Sequence, residues 1–178
     1  VCVAGEANAW PYREPTDHPD ELVHWLAYRP STGERFEAVI APRRPLAPGT
    51  TMHTRLSADD LARGLSESEF HAAWRAFSRD DDVLCSWGHY APMLLGAMDG
   101  ALPRTRVDLR HAITAFSRKK PGTVEAYCER EAVAMGPAMG QGRGGERLAR
   151  CVAITRHLID AADAWEPRAR AAFASRAT

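Results

Sequence analysis

The sequence has 178 residues, close to the roughly 100–200 residues of one typical domain and long enough to bury a core without disulfides or metals. Hydrophobic residues make up 45% and charged residues 26%, and no segment approaches the ~18 apolar residues of a membrane span. These values argue against disordered, collagen-like and membrane-spanning classes. Basic and acidic residues both number 23, so any contact with a polyanion must be made by a local patch.

Strand patterns dominate the first third of the chain. Residues 1–4 form a short apolar run that we expect to end at Gly5, and residues 22–28 form an aromatic-rich run. Residues 35–40 alternate between apolar and polar side chains, and a Ser-Thr-Gly turn joins these last two segments into a predicted hairpin. Residues 41–49 carry three prolines and a glycine, which predicts an exposed connector without regular structure.

Helical patterns dominate the remainder. Ser57 with Asp60, and Ser66 with Glu69, have the spacing of helix N-terminal caps. The elements predicted after them are a buried strand at 83–87, a helix at 92–98, a strand at 105–109, helices at 111–118 and after Thr123, a mobile glycine-rich loop at 136–145 and a long helix at 146–165. This order predicts an α/β domain with a mixed sheet covered by helices.

The four cysteines are far apart in the sequence and form no CxxC or CxH cluster: Cys2, Cys85, Cys128 and Cys151. Each has apolar neighbours, as buried reduced cysteines do, and we therefore expect a cytoplasmic protein. The sequence starts within a predicted strand, without methionine and without the pattern of a signal peptide. We expect residues 1–178 to be a single domain taken from a longer protein, and no membrane partner.

Five phrases of the sequence, in order, are similar to a known family. "ELVHWLAYRPSTGERFEAVIAPRRPL" resembles a strand pair with a proline connector, and "MHTRLSADDL" resembles a phrase in which glycine is usual at the position of Arg55. "VLCSWGHYAPMLL", "RVDLRHAI" and "TVEAYCEREAV" follow at matching intervals. Together they resemble the DnaQ-like (DEDD) 3′–5′ exonucleases, which implies an RNase H-like mixed five-stranded sheet flanked by helices over nearly the whole chain.

The resemblance implies a two-metal chemistry that this sequence only partly supports. Members of the family hydrolyse phosphodiesters with two Mg²⁺ ions, which need several carboxylate ligands at one point and a nearby histidine or tyrosine to deprotonate water. The expected ligand positions fall on Ala4, Glu6, Ala91 and Cys151, with Glu146 at the place of the histidine. Three of the four carboxylates are therefore missing, and the resemblance implies a degenerate site in which Glu6 alone could hold a metal.

Several residues near these positions are candidates for contact with nucleic acid. An aromatic side chain can stack on a base, and arginine can bind a phosphate. The candidates are Trp10 and Tyr12 in the loop after the first strand, His89 and Tyr90 beside the degenerate site, and Arg143, Arg147 and Arg150 around the glycine-rich run. His157, Asp160 and Asp163 fall off the apolar stripe of the last helix, and we expect them to be solvated.

Three functions remain open at this point. The first is a catalytically degenerate, nucleic-acid-binding or scaffolding module in a larger protein, with no cofactor. The second is an active exonuclease that holds Mg²⁺ or Mn²⁺ with Glu6 and displaced ligands such as Glu146, Asp160 or Asp163, or whose natural aspartates at positions 4 and 91 were replaced. The third is a domain that binds only other proteins.

Overall fold

A computed structural model describes residues 1–11 and 18–161, apart from the side chain of Phe116. These residues form a five-stranded sheet in the order β3-β2-β1-β4-β5. β2 is antiparallel to both β1 and β3, whereas β1, β4 and β5 run parallel to one another. The predicted mixed α/β architecture is therefore confirmed.

The strands are β1 (Cys2–Asn8), β2 (Glu21–Tyr28), β3 (Arg35–Val39), β4 (Val83–Ser86) and β5 (Thr105–Asp108). The helices are α1 (Thr50–Thr54), α2 (Ala58–Ala62), α3 (Glu67–Phe77), α4 (Tyr90–Ala97), α5 (Leu109–Ser117), α6 (Val124–Arg130) and α7 (Gly142–Asp160). Among the described residues, no helix is long and apolar enough to cross a membrane.

The two faces of the sheet carry separate cores, because successive side chains of a strand point to opposite faces. One core lies beneath α5, α6 and α7 and includes Cys2 and Ala4 of β1. The other lies beneath α3 and α4, where Trp25 and Trp74 are fully buried and meet edge to face with ring centroids 5.4 Å apart. The candidate positions Ala4 and Cys151 belong to the first core, whereas Ala91 packs against the second.

Local capping sequences predicted the helix starts correctly. Ser57 with Asp60, and Ser66 with Glu69, each form a complete capping box in which side chain and backbone bond reciprocally. Thr123 accepts a hydrogen bond from the backbone N–H of the residue three positions later, at the start of α6. These starts depend on contacts within one turn, which is why the sequence alone was sufficient.

One predicted strand end was wrong, and one helix was not predicted. β1 does not end at Gly5 but continues to Asn8 and pairs with β2 along its whole length. The proline-rich connector has no regular structure, as predicted, but the unpredicted helix α1 follows it. Near the end of α7, Ile159 is 64% exposed, so the apolar stripe of that helix does not extend to it. The predicted extension of that helix to residue 165 lies outside the described residues.

The largest departure concerns the glycine-rich run, which we predicted to be a mobile loop. Helix α7 begins inside it, at Gly142. A Cβ on Gly144 would lie 2.6 Å from Leu26 Cδ1 and 2.9 Å from His24 Nδ1, and a Cβ on Gly145 would lie 2.0 Å from the carbonyl oxygen of Gly140. Gly144 thus lets the first turn of α7 lie directly on β2, and Gly145 lets that turn pack against the loop backbone at Gly140, at distances where a Cβ atom would clash.

This close approach can be tested with two glycine substitutions. We expect Gly145→Ala to lower the free energy of unfolding by about 1–3 kcal/mol, because the added methyl group meets backbone that cannot move aside. Gly136→Ala is the matched control, since nothing lies within 4 Å of its Cβ position, and it should stay within about 0.5 kcal/mol of the wild type. Urea unfolding of both variants measures the difference, and equal stabilities would contradict the packing described here.

Candidate functional site

The candidate site begins with two positions on β1. Ala4 and Glu6 are two residues apart and therefore point to the same face of the sheet, the face covered by α7. Their partners across the strand pair are Leu26 and His24, the residues that the first turn of α7 touches. The strand and the helix thus meet at these two positions.

Helix α7 adds a row of side chains above β1. Arg143, Arg147 and Cys151 are spaced four residues apart, so they share one face of the helix. Glu146 and Arg150, also four apart, form the neighbouring row. This spacing separates the arginines that we had grouped together into two different surroundings.

A cleft of about 80 Å³ lies between β1, α4 and α7. Three of the positions expected to hold metal ligands line it together, Ala4, Ala91 and Cys151. Its other lining residues are Val3, Gly5, Trp87, Tyr90, Val124 and Arg147. Positions far apart in the sequence are therefore adjacent in the fold, and their side chains here are two methyl groups and a thiol.

Glu6 does not face this cleft as a free carboxylate. It is 5% exposed, and Arg147 Nη1 donates a hydrogen bond to its Oε1 over 3.1 Å. Burial raises the pKa of Glu6 above its ordinary value, and the charges of Arg147, Arg143 and His53 only partly oppose that rise. The one remaining carboxylate of the site is thus bound to a cation that belongs to the chain itself.

Cys151 is a buried thiol with its proton retained. A hydrogen bond shared with Cys2, and burial, raise its pKa well above the ordinary value. Its sulfur also lies 3.5 Å from the carbonyl oxygen of Cys85, to which it donates. A neutral thiol is a poor ligand for a hard cation such as Mg²⁺.

Glu146 lies outside the lining of the cleft and belongs to a separate ion-pair group. Its Oε1 accepts a hydrogen bond from Arg55 Nη1 over 2.6 Å, and its Oε2 lies 3.6 Å from Arg150 Nη1. Arg55 has a left-handed backbone with φ of 58°, which glycine adopts without strain and which explains the glycine usual at this position of the similar phrase. Arg150 also lies 4.0 Å from Glu125, so Glu146 and Arg150 are both already paired.

The predicted aromatic and histidine candidates do not all meet in the cleft. Tyr90 lines it, but its hydroxyl donates to Asp20 Oδ2 over 2.5 Å, and burial raises its pKa. His89 is exposed at the N-cap of α4 and borders a different cavity. Trp10 is half-buried with its ring centroid 5.7 Å from that of His18. Tyr12 lies outside the described residues.

Sequence analysis missed a pair of residues that positions the cleft. His24 is fully buried beneath α7, and its Nε2 lies 3.0 Å from Glu37 Oε1. The same oxygen of Glu37 accepts a hydrogen bond over 2.7 Å from the backbone N–H of Gln141, the N-cap of α7. The pair therefore anchors the start of the helix that carries Arg143 and Arg147. The only signal in the sequence was a histidine within an otherwise apolar strand.

Solved structures with a similar fold are nucleases. A full-length 3′-exonuclease matches with a TM-score of 0.66 and 12% identity over 93% of this chain, which spans 60% of that protein. A 3′-exonuclease that recognises the 3′ end of the histone mRNA stem-loop matches with a TM-score of 0.65 and 11% identity over 89% of this chain and 80% of its own. Escherichia coli (E. coli) exonuclease I bound to a dT13 oligonucleotide matches with a TM-score of 0.64 and 14% identity over 94% of this chain and 41% of its own.

These likenesses establish the fold, which is the RNase H-like fold of the 3′–5′ exonucleases. No protein-family profile matches the sequence. No curated protein matches it significantly either.

The two Mg²⁺ ions that such a fold implies do not fit the residues present here. Ala4 and Ala91 carry no donor atom, Cys151 is a neutral thiol, and Glu6 is bonded to Arg147. Within residues 1–11 and 18–161, no group of three or more histidine, cysteine, aspartate or glutamate side chains is placed to hold a metal ion. The cleft therefore offers a guanidinium where a metal-dependent nuclease needs carboxylates.

The raised pKa of Glu6 predicts a pH dependence of stability. The folded state binds the proton of Glu6 more tightly than the unfolded chain does, and this difference stabilises the fold. The stabilisation is complete below about pH 4.5 and is lost as the pH rises through the pKa of Glu6 in the folded state. We expect Glu6→Gln to be more stable relative to the wild type at pH 7 than at pH 4, because the amide oxygen still accepts from Arg147 and carries no charge.

Thermal unfolding at both pH values measures this effect, with Glu69→Gln as the matched control. The pKa of Glu69 is lowered by its hydrogen bonds to Ser66, so its variant should shift in the opposite direction while the glutamine still serves the capping box. The opposite result is a Glu6→Gln variant that is less stable relative to the wild type at pH 7 than at pH 4. It would show that ionisation of Glu6 stabilises the fold, and it would contradict the account of its burial.

Proposed function

We propose that this chain is a nucleic-acid-binding module built on an exonuclease fold whose catalytic metal site has been lost. The observation that carries the proposal is the composition of the cleft, where Ala4, Ala91 and Cys151 meet and the guanidinium of Arg147 lies among them. Loss of the carboxylates removes the ligands of the ions, while the fold and a basic side chain remain. We further propose that it acts in the cytoplasm as part of a larger protein or complex.

The described residues that could serve as displaced metal ligands lie in positions that do not suit that role. Glu146 is paired with Arg55 and Arg150 and is not part of the cleft lining. Asp160 is 13 residues beyond Arg147 on the same helix, which separates them by about 20 Å at ~1.5 Å per residue. Asp163, the third displaced ligand considered, lies outside the described residues.

The binding half of the proposal is supported by the fold and by the arginines. The similar structures include a nuclease bound to an oligonucleotide and one that recognises an RNA end. Because the chain has no net charge, affinity for nucleic acid must arise from a few local guanidiniums. Arg147 lines the cleft and Arg143 lies one turn before it on α7, which supports a role for both in such binding.

A nuclease assay with a parallel binding measurement tests the proposal. The purified chain is incubated with end-labelled single-stranded RNA and DNA, with Mg²⁺ or Mn²⁺, and binding is measured by fluorescence anisotropy. We expect intact oligonucleotides and an affinity that falls as salt is raised from about 50 to 200 mM. Metal-dependent shortening from the 3′ end would contradict the loss of catalysis. Absence of binding at low salt would instead favour a domain that contacts only proteins.

A further inference from the structure

The cleft holds more positive than negative charge. Arg147 is the charged side chain among its lining residues, and the charges of Arg147 and Arg143 both act on the neighbouring carboxylate of Glu6. Arg143 makes no hydrogen bond or ion pair within the described parts of the chain. One of the two arginines is therefore uncompensated beside a cleft that is otherwise lined by neutral groups.

This surplus contrasts with the neighbouring row of α7. There, Glu146 and Arg150 neutralise each other and are joined by Arg55 and Glu125. The four-residue spacing within each row puts Arg143 one turn before Arg147, on the same face of α7. The groups left to meet a ligand are Arg143, which has no hydrogen bond or ion pair within the described residues, and the donors of Arg147 that Glu6 does not use, whereas Arg150 is paired.

Arg147 has donors left after it binds Glu6. A guanidinium has five N–H groups in a planar fork, and the structure shows Nη1 as the donor to Glu6 Oε1. The side chain is 34% exposed and lines the cleft, so its remaining edge is accessible. A planar fork of donors suits the oxygens of a phosphate.

The size of the cleft limits what can enter it. Its volume is about 80 Å³, several times the ~10–15 Å³ that a single water needs on the same measure. A cleft of this size suits a small group such as a phosphate. Ala4 and Ala91 keep it open, because larger side chains at these positions would fill it.

We propose that the guanidiniums of Arg147 and Arg143 take the place of the two metal ions and bind a phosphate of single-stranded nucleic acid directly, without any divalent cation. This inference rests on the proposed function and gives it a ligand chemistry. In this chain the positive charge belongs to arginine side chains, whereas a nuclease of this fold obtains it from reversibly bound ions. Binding of the phosphate therefore needs no metal ion, and no metal-activated water is formed.

The test measures the affinity of the whole chain for a fluorescent single-stranded oligonucleotide in EDTA and in Mg²⁺ at equal ionic strength. We expect the two dissociation constants to agree within about twofold, since no metal-bridged contact is lost. A loss of tenfold or more in EDTA would overturn the inference while leaving nucleic-acid binding intact. No binding of the wild-type chain in either buffer would overturn the inference together with the proposed function.

Variants assign the effect to the two arginines. Arg143→Ala removes an unpaired charge, and we expect about tenfold weaker binding and a salt slope smaller by roughly 0.7, the value of one phosphate contact on a single strand. Arg147→Lys keeps the charge opposite Glu6, and thus the fold, but loses the planar fork and should also weaken binding severalfold. Arg75→Ala, exposed on α3 at the opposite face of the sheet, is the matched control. Wild-type affinity and slope in both cleft variants would overturn the inference.

Discussion

A carboxylate buried in a sheet needs a counter-charge, and in this chain the counter-charge of Glu6 is the guanidinium of Arg147. Burial alone drives Glu6 toward its protonated form, and the arginine opposes that tendency. The cation that faces Glu6 in this chain is therefore a side chain of the protein itself.

The position of that arginine depends on how closely α7 approaches the sheet. Gly144 and Gly145 let the first helical turn lie against Leu26, His24 and the backbone of Gly140. The pair formed by His24 and Glu37 then holds the N-cap of the helix through the backbone of Gln141. A helix displaced outward by a side chain at these glycines would carry Arg147 away from Glu6. The glycines carry no functional group, but they set how close Arg147 lies to Glu6.

Sequence reasoning succeeded where local contacts or repeated phrases carry the information. The capping boxes at Ser57 and Ser66 are formed within one turn, and the ordered phrases were sufficient for the sheet and its class. It failed at residues 142–145, because glycine is a poor helix former and only the contact with β2 makes it favourable there. The different surroundings of Arg147 and Arg150 could not be read from the sequence for a related reason. Their partners, Glu6 and Glu146, depend on how α7 is rotated against β1.

The neutral overall charge also has a clearer meaning once the contacts are known. Several acidic residues are paired with arginines elsewhere, as Asp82 is with Arg29 at 2.7 Å. The total numbers of acidic and basic residues are equal, but their charges are unevenly distributed over the structure. Near the cleft, Arg143 has no acidic partner within hydrogen-bonding or ion-pair distance among the described residues, and a phosphate can supply the missing charge.

The central claim is that this cleft binds phosphate with arginine and not with metal. It is tested most directly by a crystal structure of the chain with a short single-stranded oligonucleotide, soaked in Mn²⁺ and measured for anomalous scattering. The account predicts a phosphate within hydrogen-bonding distance of the Arg147 guanidinium and no anomalous peak in the cleft. One or two Mn²⁺ peaks with Glu6 as a ligand, and Arg147 turned away, would contradict it.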